Sequence, residues 1–316
     1  MKIAFHTNKL CVRGTSVAIY DYAQYNEEIL GGKSIILIPE SSISDSDPIA
    51  IHRFCARFLV LPYKDLETCL EKMNCDVLYC IKYGLNDGIL SKKVKTIIHC
   101  VFDMTEPHGD VYAGVSSSLS KKFGSTLYVP HMISLKKNNN SNLKTILGIP
   151  ENGIVFGRYG GIDTFDLKWC WNVIEEIVNE RDDIYFLLNN TVKLKEHNQI
   201  KYQKNIVSEE DKNKFINTCD CYIECGSLGH SFGLAIGEFS VFNKPIMAYK
   251  NKNIWNRAHI DILGDNALYF ENKEEFKSLL CGFRKDYYIG KDLNFYRDYS
   301  PEKVMEKFKA VFLENR

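Results

Sequence analysis

The sequence has no surplus of either charge: Lys plus Arg number 40 and Asp plus Glu number 40, giving a formal net charge of zero over 316 residues. A general nucleic-acid binder draws its affinity from a basic excess, so no nucleic-acid partner is expected. No run approaches the roughly 18 apolar residues of a membrane span. The apolar start over residues 1–6 is too short for a secretory signal and leads straight into a polar loop. These absences predict a cytoplasmic chain with no transmembrane anchor. The eleven cysteines include no C-x-x-C pair. The one cluster, Cys219, Cys221 and Cys225, has no second ligand pair at zinc-finger spacing, which leaves reduced, buried thiols as the expectation. There is also no G-x-G-x-x-G, which disfavours an NAD dehydrogenase. No carboxylate pair stands at a recognisable hydrolase spacing.

What is present is an alternation of strand and helix patterns at ordinary globular composition, 45% hydrophobic and 25% charged. The pattern predicts strands over 2–7, 33–39, 57–61, 76–81, 94–101, 111–115 and 126–129, with helices over 15–30 (capped by Thr15), 65–73 and 117–123. After the polar run 134–142, the alternation restarts. It predicts strands over 153–157, 184–189, 205–207, 221–224 and 245–249, and helices over 166–181, 209–218, 234–242 and 301–313, with an amphipathic stretch near 274–283. Continuous β-branched runs such as 94–101 suit parallel sheets buried on both faces. The expected organisation is a first α/β domain over 1–133, a linker over 134–145 too polar to order itself, and a second domain over 146–300. The last helix, 301–316, is expected to pack back on the first domain.

The most informative stretch runs from Glu224 to Glu238. A strand ends, a turn with Gly226, Gly229 and Gly233 follows, and a helix starts near Gly233. Such a helix start offers unpaired N–H groups and the positive end of the dipole to a phosphate. Glu238, acceptor-only and within that helix, suits two neighbouring hydroxyls such as those of a ribose.

This segment resembles the donor motif of GT-B glycosyltransferases, particularly family 4, which commonly reads E-G-F-G-L-x-x-x-E-A-x-x-x-G-x-P-V. The matching residues are His230, Ser231, Phe232, Gly233 and Leu234, then Glu238, then Asn243, Lys244, Pro245 and Ile246. The resemblance implies two Rossmann-like domains facing each other across a cleft, an acceptor domain first and a donor domain second. It implies that Glu238 binds the donor ribose and that Ser231, Phe232, Gly233 and Leu234 meet the sugar and phosphates. His230 stands where the family has its first glutamate. A second stretch, Gly157-Arg158-Tyr159-Gly160-Gly161, resembles the family's G-R-x-x-x-x-K-G, with Arg158 as the pyrophosphate arginine and Gly160 in the donor loop. The family lysine is absent, since Asp163 takes its place, and Lys168 is the nearest substitute. The wording of 157–166 also looks like glycosyltransferases encoded by large DNA viruses.

In the first half, Arg13 and Gly14 sit where the family carries its acceptor-side loop. His99 stands at the end of a strand, where the fold often places a histidine near the donor sugar; Asp103, Glu106 and His108 follow as acceptor-side candidates. The implied activity is transfer from a nucleoside diphosphate sugar to a hydroxyl of a carbohydrate or glycoconjugate, with retention, without a metal or other cofactor. Arg158, His99 and His230 are the catalytic candidates. Asp45-Ser46-Asp47 is a D-x-D, a metal-binding signature of the other large transferase fold, here in a Ser-rich loop. A nucleotide-sugar 2-epimerase of the same fold and a catalytically silent sugar-nucleotide binder are the alternatives.

Overall fold

The structure is a computed structural model describing residues 1–203, 206 and 208–314. It divides into two compact units: Met1–Ser134 with Asp298–Arg316, and Leu135–Arg297.

In unit 1, strands β1 (Lys2–His6), β2 (Lys33–Pro39), β3 (Leu59–Tyr63), β4 (Val77–Lys82), β5 (Lys95–Cys100) and β6 (Val111–Gly114) make one sheet. All pairs are parallel, in the order β3-β2-β1-β4-β5-β6. Ile3, Phe5, Leu78, Tyr79, Ile97 and Ile98 are fully buried, the near-continuous burial of a sheet covered on both faces. Its first segment carries the helices α1 (Gly14–Glu28), α2 (Pro48–Cys55), α3 (Leu66–Lys72) and α4 (Ser117–Lys122).

Three details differ from expectation. Helix α1 takes Arg13, not Thr15, at its N-cap, with no side-chain cap bond. Ser16 stabilises the entry loop by accepting the Cys11 N–H at 2.9 Å. Helix α2 arises where a loop was read. Asp47 caps it by accepting the Ile49 N–H at 2.8 Å, and Pro48 fills the first turn. The second carboxylate of the D-x-D is therefore a helix cap. The strand expected over 126–129 is reduced to a single bridge between Gly114 and Tyr128.

Unit 2 contains α5 (Lys144–Leu147), β7 (Ile154–Arg158), α6 (Lys168–Glu180), β8 (Ile184–Leu188), β9 (Ile200–Tyr202), α7 (Glu209–Thr218) and β10 (Cys221–Glu224). It continues with β11 (Gly229–His230), α8 (Leu234–Val241), β12 (Ile246–Tyr249), β13 (Asn256–Arg257), α9 (Ala258–Leu263), β14 (Leu268–Phe270) and α10 (Lys273–Gly282). Its sheet, again parallel, has the order β14-β12-β10-β7-β8-β9, while β11 and β13 pair separately. Counted from β7, this order repeats that of unit 1. Each unit thus reverses strand order once, between β1 and β4 or between β7 and β10. Open α/β sheets hold ligands beyond the carboxyl ends of such neighbours. Of the strand expected over 205–207, residues 205 and 207 lie outside those described, and Ile206 is in no strand.

The stretch read as a linker is ordered within unit 2. Asn213 Oδ1 accepts the Asn138 N–H at 2.6 Å, and Asn217 Nδ2 donates to the carbonyls of Asn138 and Ser141 at 2.7 and 3.0 Å. Leu143 N–H donates to Thr218 Oγ1 at 2.8 Å, and Leu135 and Leu143 are buried. Side chains of α7 satisfy the backbone that composition alone left without partners.

The final helix, α11 (Pro301–Phe308), widens into a π turn over Lys309–Leu313. Phe308 and Phe312 are fully buried against Tyr79, with Tyr22 beside Phe308. Cys219, Cys221 and Cys225 are all buried, and burial pushes their thiols up. Among the described residues, no group of three His, Cys, Asp or Glu side chains is placed to hold a metal, and no helix is long and apolar enough to cross a membrane.

Candidate functional site

At the end of β10, Glu224 is 1% exposed. Its Oε2 accepts the Tyr222 hydroxyl at 2.9 Å and lies 2.9 Å from His230 Nε2. The second contact is a close approach rather than an aligned hydrogen bond, for Nε2 has no partner by hydrogen-bond geometry. Burial alone would raise the Glu224 carboxyl. The opposing influence of His230, Arg158 and His259 outweighs it and holds the group at about 2. His259, on α9, stacks edge-on to His230 with centroids 5.3 Å apart. Burial, then His230, push His259 down to about 3, so at neutral pH it is uncharged.

The turn between Glu224 and α8 runs close to its surroundings. A Cβ on Gly226 would lie 2.8 Å from both Glu224 Oε1 and the Thr164 carbonyl, so only glycine fits there. Gly233 has φ +91° and forms the N-cap of α8 without a side-chain cap bond. Phe232 is 1% exposed, and its carbonyl accepts the Tyr296 hydroxyl at 3.0 Å. It is a packing residue whose backbone sets the turn. Ser231 and Leu234 are half-buried beside it.

Glu238 lies buried on α8, and its two oxygens have different partners: Lys212 of α7 on one, the Tyr159 hydroxyl on the other. Tyr159 directly follows β7. This carboxylate therefore ties α8 to α7 and to the end of β7.

Arg158 departs from its expected role. It is 0% exposed, and its guanidinium donates to the carbonyls of Asn190 and Gly161, at 3.3 and 3.0 Å, and to Thr164 Oγ1. Its planar fork shapes the loop after β7 instead of standing open to a diphosphate. Gly160 lies in that loop, its carbonyl accepting Asn190 Nδ2 at 2.7 Å. Asp163 and Lys168 are exposed.

In unit 1, His99 is also displaced from its expected role. It is 0% exposed within β5, takes the Tyr79 hydroxyl on Nδ1 at 2.6 Å and donates from Nε2 to the Val129 carbonyl at 2.8 Å. Rings of Tyr22, His131 and Phe312 enclose it. Burial, then neighbouring His131, push it down to about 3. It is a core side chain with both ring nitrogens partnered inside the protein. Arg13 and Gly14 are exposed at the start of α1. Asp103 Oδ1 accepts the Thr105 N–H at 2.7 Å, Glu106 Oε2 accepts the Asn86 N–H at 2.7 Å, and His108 Nδ1 donates to the Glu106 carbonyl at 2.6 Å.

Sequence reasoning missed three members of the unit 2 cluster: Glu224, Tyr159 and Lys212. Glu224 carried a readable signal, a carboxylate closing an apolar strand just before a glycine-rich turn. Tyr159 and Lys212 carried none, because their common partner Glu238 lies 79 and 26 residues away.

No family model matches the chain, and no curated protein matches it in sequence. Solved structures do match in shape. HepE (Alr3699) of Anabaena in complex with UDP-glucose superposes with a TM-score of 0.74 at 12% identity, over 100% of both chains. A glycosyltransferase from Rickettsia africae gives 0.68 at 13% identity over 99% of both. WaaG, a glycosyltransferase involved in lipopolysaccharide biosynthesis, gives 0.64 at 10% identity, covering 98% of this chain and 100% of its own. The two six-stranded parallel sheets are those of the GT-B fold.

Proposed function

We propose that this chain is a glycosyltransferase moving a sugar from a nucleoside diphosphate to an acceptor hydroxyl, with retention, without a metal ion, in the cytoplasm. The observation that carries this reading is Glu238, buried in the helix that starts at the glycine-rich turn after β10. Each of its oxygens has one protein donor. A carboxylate oxygen accepts two bonds, so each keeps a lone pair for one of two neighbouring ribose hydroxyls. The amides opening α8, without a side-chain cap, suit the diphosphate. As the bond from the sugar's anomeric carbon to phosphate breaks, negative charge grows on the leaving diphosphate, and fixed amide donors stabilise it without reorganising. Arg158 contributes by holding the loop over Gly160–Thr164. The solved structure of HepE with UDP-glucose supports the reading, as a chain of this fold that binds a nucleotide sugar.

The test is thermal unfolding against a panel of UDP-, GDP-, dTDP- and CMP-sugars, with and without a chelator. A nucleotide sugar bound to the folded state raises the midpoint. The expected result is a shift with one base, unchanged by chelator and lost in Glu238→Ala. No shift with any donor, or unaltered affinity in Glu238→Ala, overturns the assignment. Product analysis separates transfer, which yields a glycoside, from 2-epimerisation, which yields an isomerised nucleotide sugar.

A further inference from the structure

Lys244 stands at the opposite end of the unit 2 sheet from the glycine-rich turn. It precedes β12, whose Ile246 and Ala248 pair with Tyr222 and Glu224 of β10. About 13 Å of strand therefore separates Lys244 from the level of Glu224. Beside it opens a recess of about 380 Å³, lined by Lys137, Phe242, Lys244, Tyr288, Lys291 and Asp292 among others, all of unit 2.

The walls are fixed by contacts inside the unit. Ser240 Oγ donates to the Leu293 carbonyl at 2.7 Å and accepts the Phe295 N–H at 2.9 Å. Asn243 Oδ1 accepts the Leu293 N–H at 3.1 Å, so the segment carrying Lys291 and Asp292 is held against the end of α8. Tyr288 stacks on Phe283, with centroids 5.4 Å apart and planes at 16°.

The charge around the recess is unbalanced. Among the described residues, the side chains of Lys137 and Lys244 have neither a hydrogen bond nor an ion pair. Lys291 rests on the Tyr287 ring, with Nζ 3.0 Å from the centroid. Asp292 is taken, Oδ2 by Arg297 and Oδ1 by the Asn294 N–H at 3.2 Å. Asp220, near Lys244, accepts the Val155 N–H on Oδ2 at 2.8 Å. Lys144 and Lys285 donate to backbone carbonyls over residues 151–153. Burial pushes the Lys244 ammonium down from its ordinary value; Lys137 and Lys144 push the same way, against the pull of Cys219 and Asp220. An anion between these lysines reverses that repulsion. A phosphate suits them, because its several oxygens accept from more than one ammonium at once.

We propose that this recess is a phosphate site, in which Lys137, Lys244 and Lys291 take a phosphomonoester dianion away from the turn assigned to the donor. Soluble phosphate esters and phosphatidic acid both carry that group. Ile289, a lining residue 77% exposed, is open to an acyl layer in the second case. The site does not depend on the glycosyl-transfer reading.

The experiment is calorimetric titration of the full chain with orthophosphate, alongside retention on phosphatidylcholine vesicles with and without phosphatidic acid. Wild type binds phosphate. Lys244→Gln and Lys137→Gln each weaken that binding by about tenfold, while Lys244→Arg, which keeps the charge, preserves it. Lys137 is exposed, so its variant tests the site even if Lys244→Gln unfolds. No phosphate bound by wild type, or binding that neither glutamine substitution weakens, overturns the site. Vesicle retention that needs phosphatidic acid, is displaced by orthophosphate and is lost in Ile289→Ser assigns the lipid. Phosphate binding without vesicle retention assigns the soluble ester, and either result sustains the site.

Discussion

Glu224 and His230 close the glycine-rich turn of unit 2 upon itself, Oε2 to Nε2 at 2.9 Å, with the carboxylate almost wholly buried. His230 and Arg158, facing the carboxylate, outweigh the cost of burying its charge. Glu224→Gln keeps the shape and removes the charge, leaving a buried guanidinium uncompensated. Breaking a buried pair from one side costs about 3–5 kcal/mol. Denaturant unfolding is expected to show a loss of that size; a loss within experimental error would mean the turn does not depend on the pair.

A second prediction concerns packing. A Cβ on Gly157 would lie 2.1 Å from Cys219 Sγ, a contact side chains do not make. Gly157→Ala is expected to cost about 1–3 kcal/mol through overpacking. Cys219→Ala in the same chain removes the obstructing sulfur and recovers part of the loss. The double-mutant cycle measures the coupling; strictly additive effects would show that the glycine is required for another reason.

Acid should destabilise unit 1 before unit 2. Burial holds His6 at about 4 and His99 and His131 at about 3 in unit 1, and His259 at about 3 in unit 2. All four are neutral when folded, yet take up protons near 6.5 once unfolded. Stability is therefore complete above about pH 6.5 and falls as the pH drops toward the folded values, by about 1.4 kcal/mol per histidine per pH unit. Three such groups burden unit 1 and one burdens unit 2. Hydrogen exchange between pH 7 and 5 should show β1, β4 and β5 losing protection ahead of β7 and β10. Equal loss in both units would overturn the assignment.

Much of the fold was legible because parallel strands are buried on both faces. β2 was read at its true bounds from an apolar run ending at Pro39, and β10 likewise from 221–224. Glu238 was legible as a carboxylate in a helix opened by glycines. Long-range partners were not. His99 reads as a polar residue ending an apolar strand, and only Tyr79, the Val129 carbonyl and a ring from residue 312 make it a core residue. Arg158 has the right position for a phosphate contact, but nothing local shows that its fork closes on Gly161, Thr164 and Asn190. The asparagine-rich run 134–142 was read as structureless because its ordering donors and acceptors lie some 75 residues downstream. Asp47-Pro48 did announce a helix start, and the D-x-D pattern drew attention away from it.

Phe308 and Phe312 give the chain a direction of assembly. They are fully buried in unit 1 yet follow the whole of unit 2 in the sequence, so the ribosome delivers them after every residue of the second unit. Domains generally fold in the order of their synthesis. Here the first to emerge is the last to be completed: Tyr22 and Tyr79 wait with an open aromatic face while unit 2 is translated, and a chain interrupted anywhere before residue 308 would leave that face exposed to chaperones.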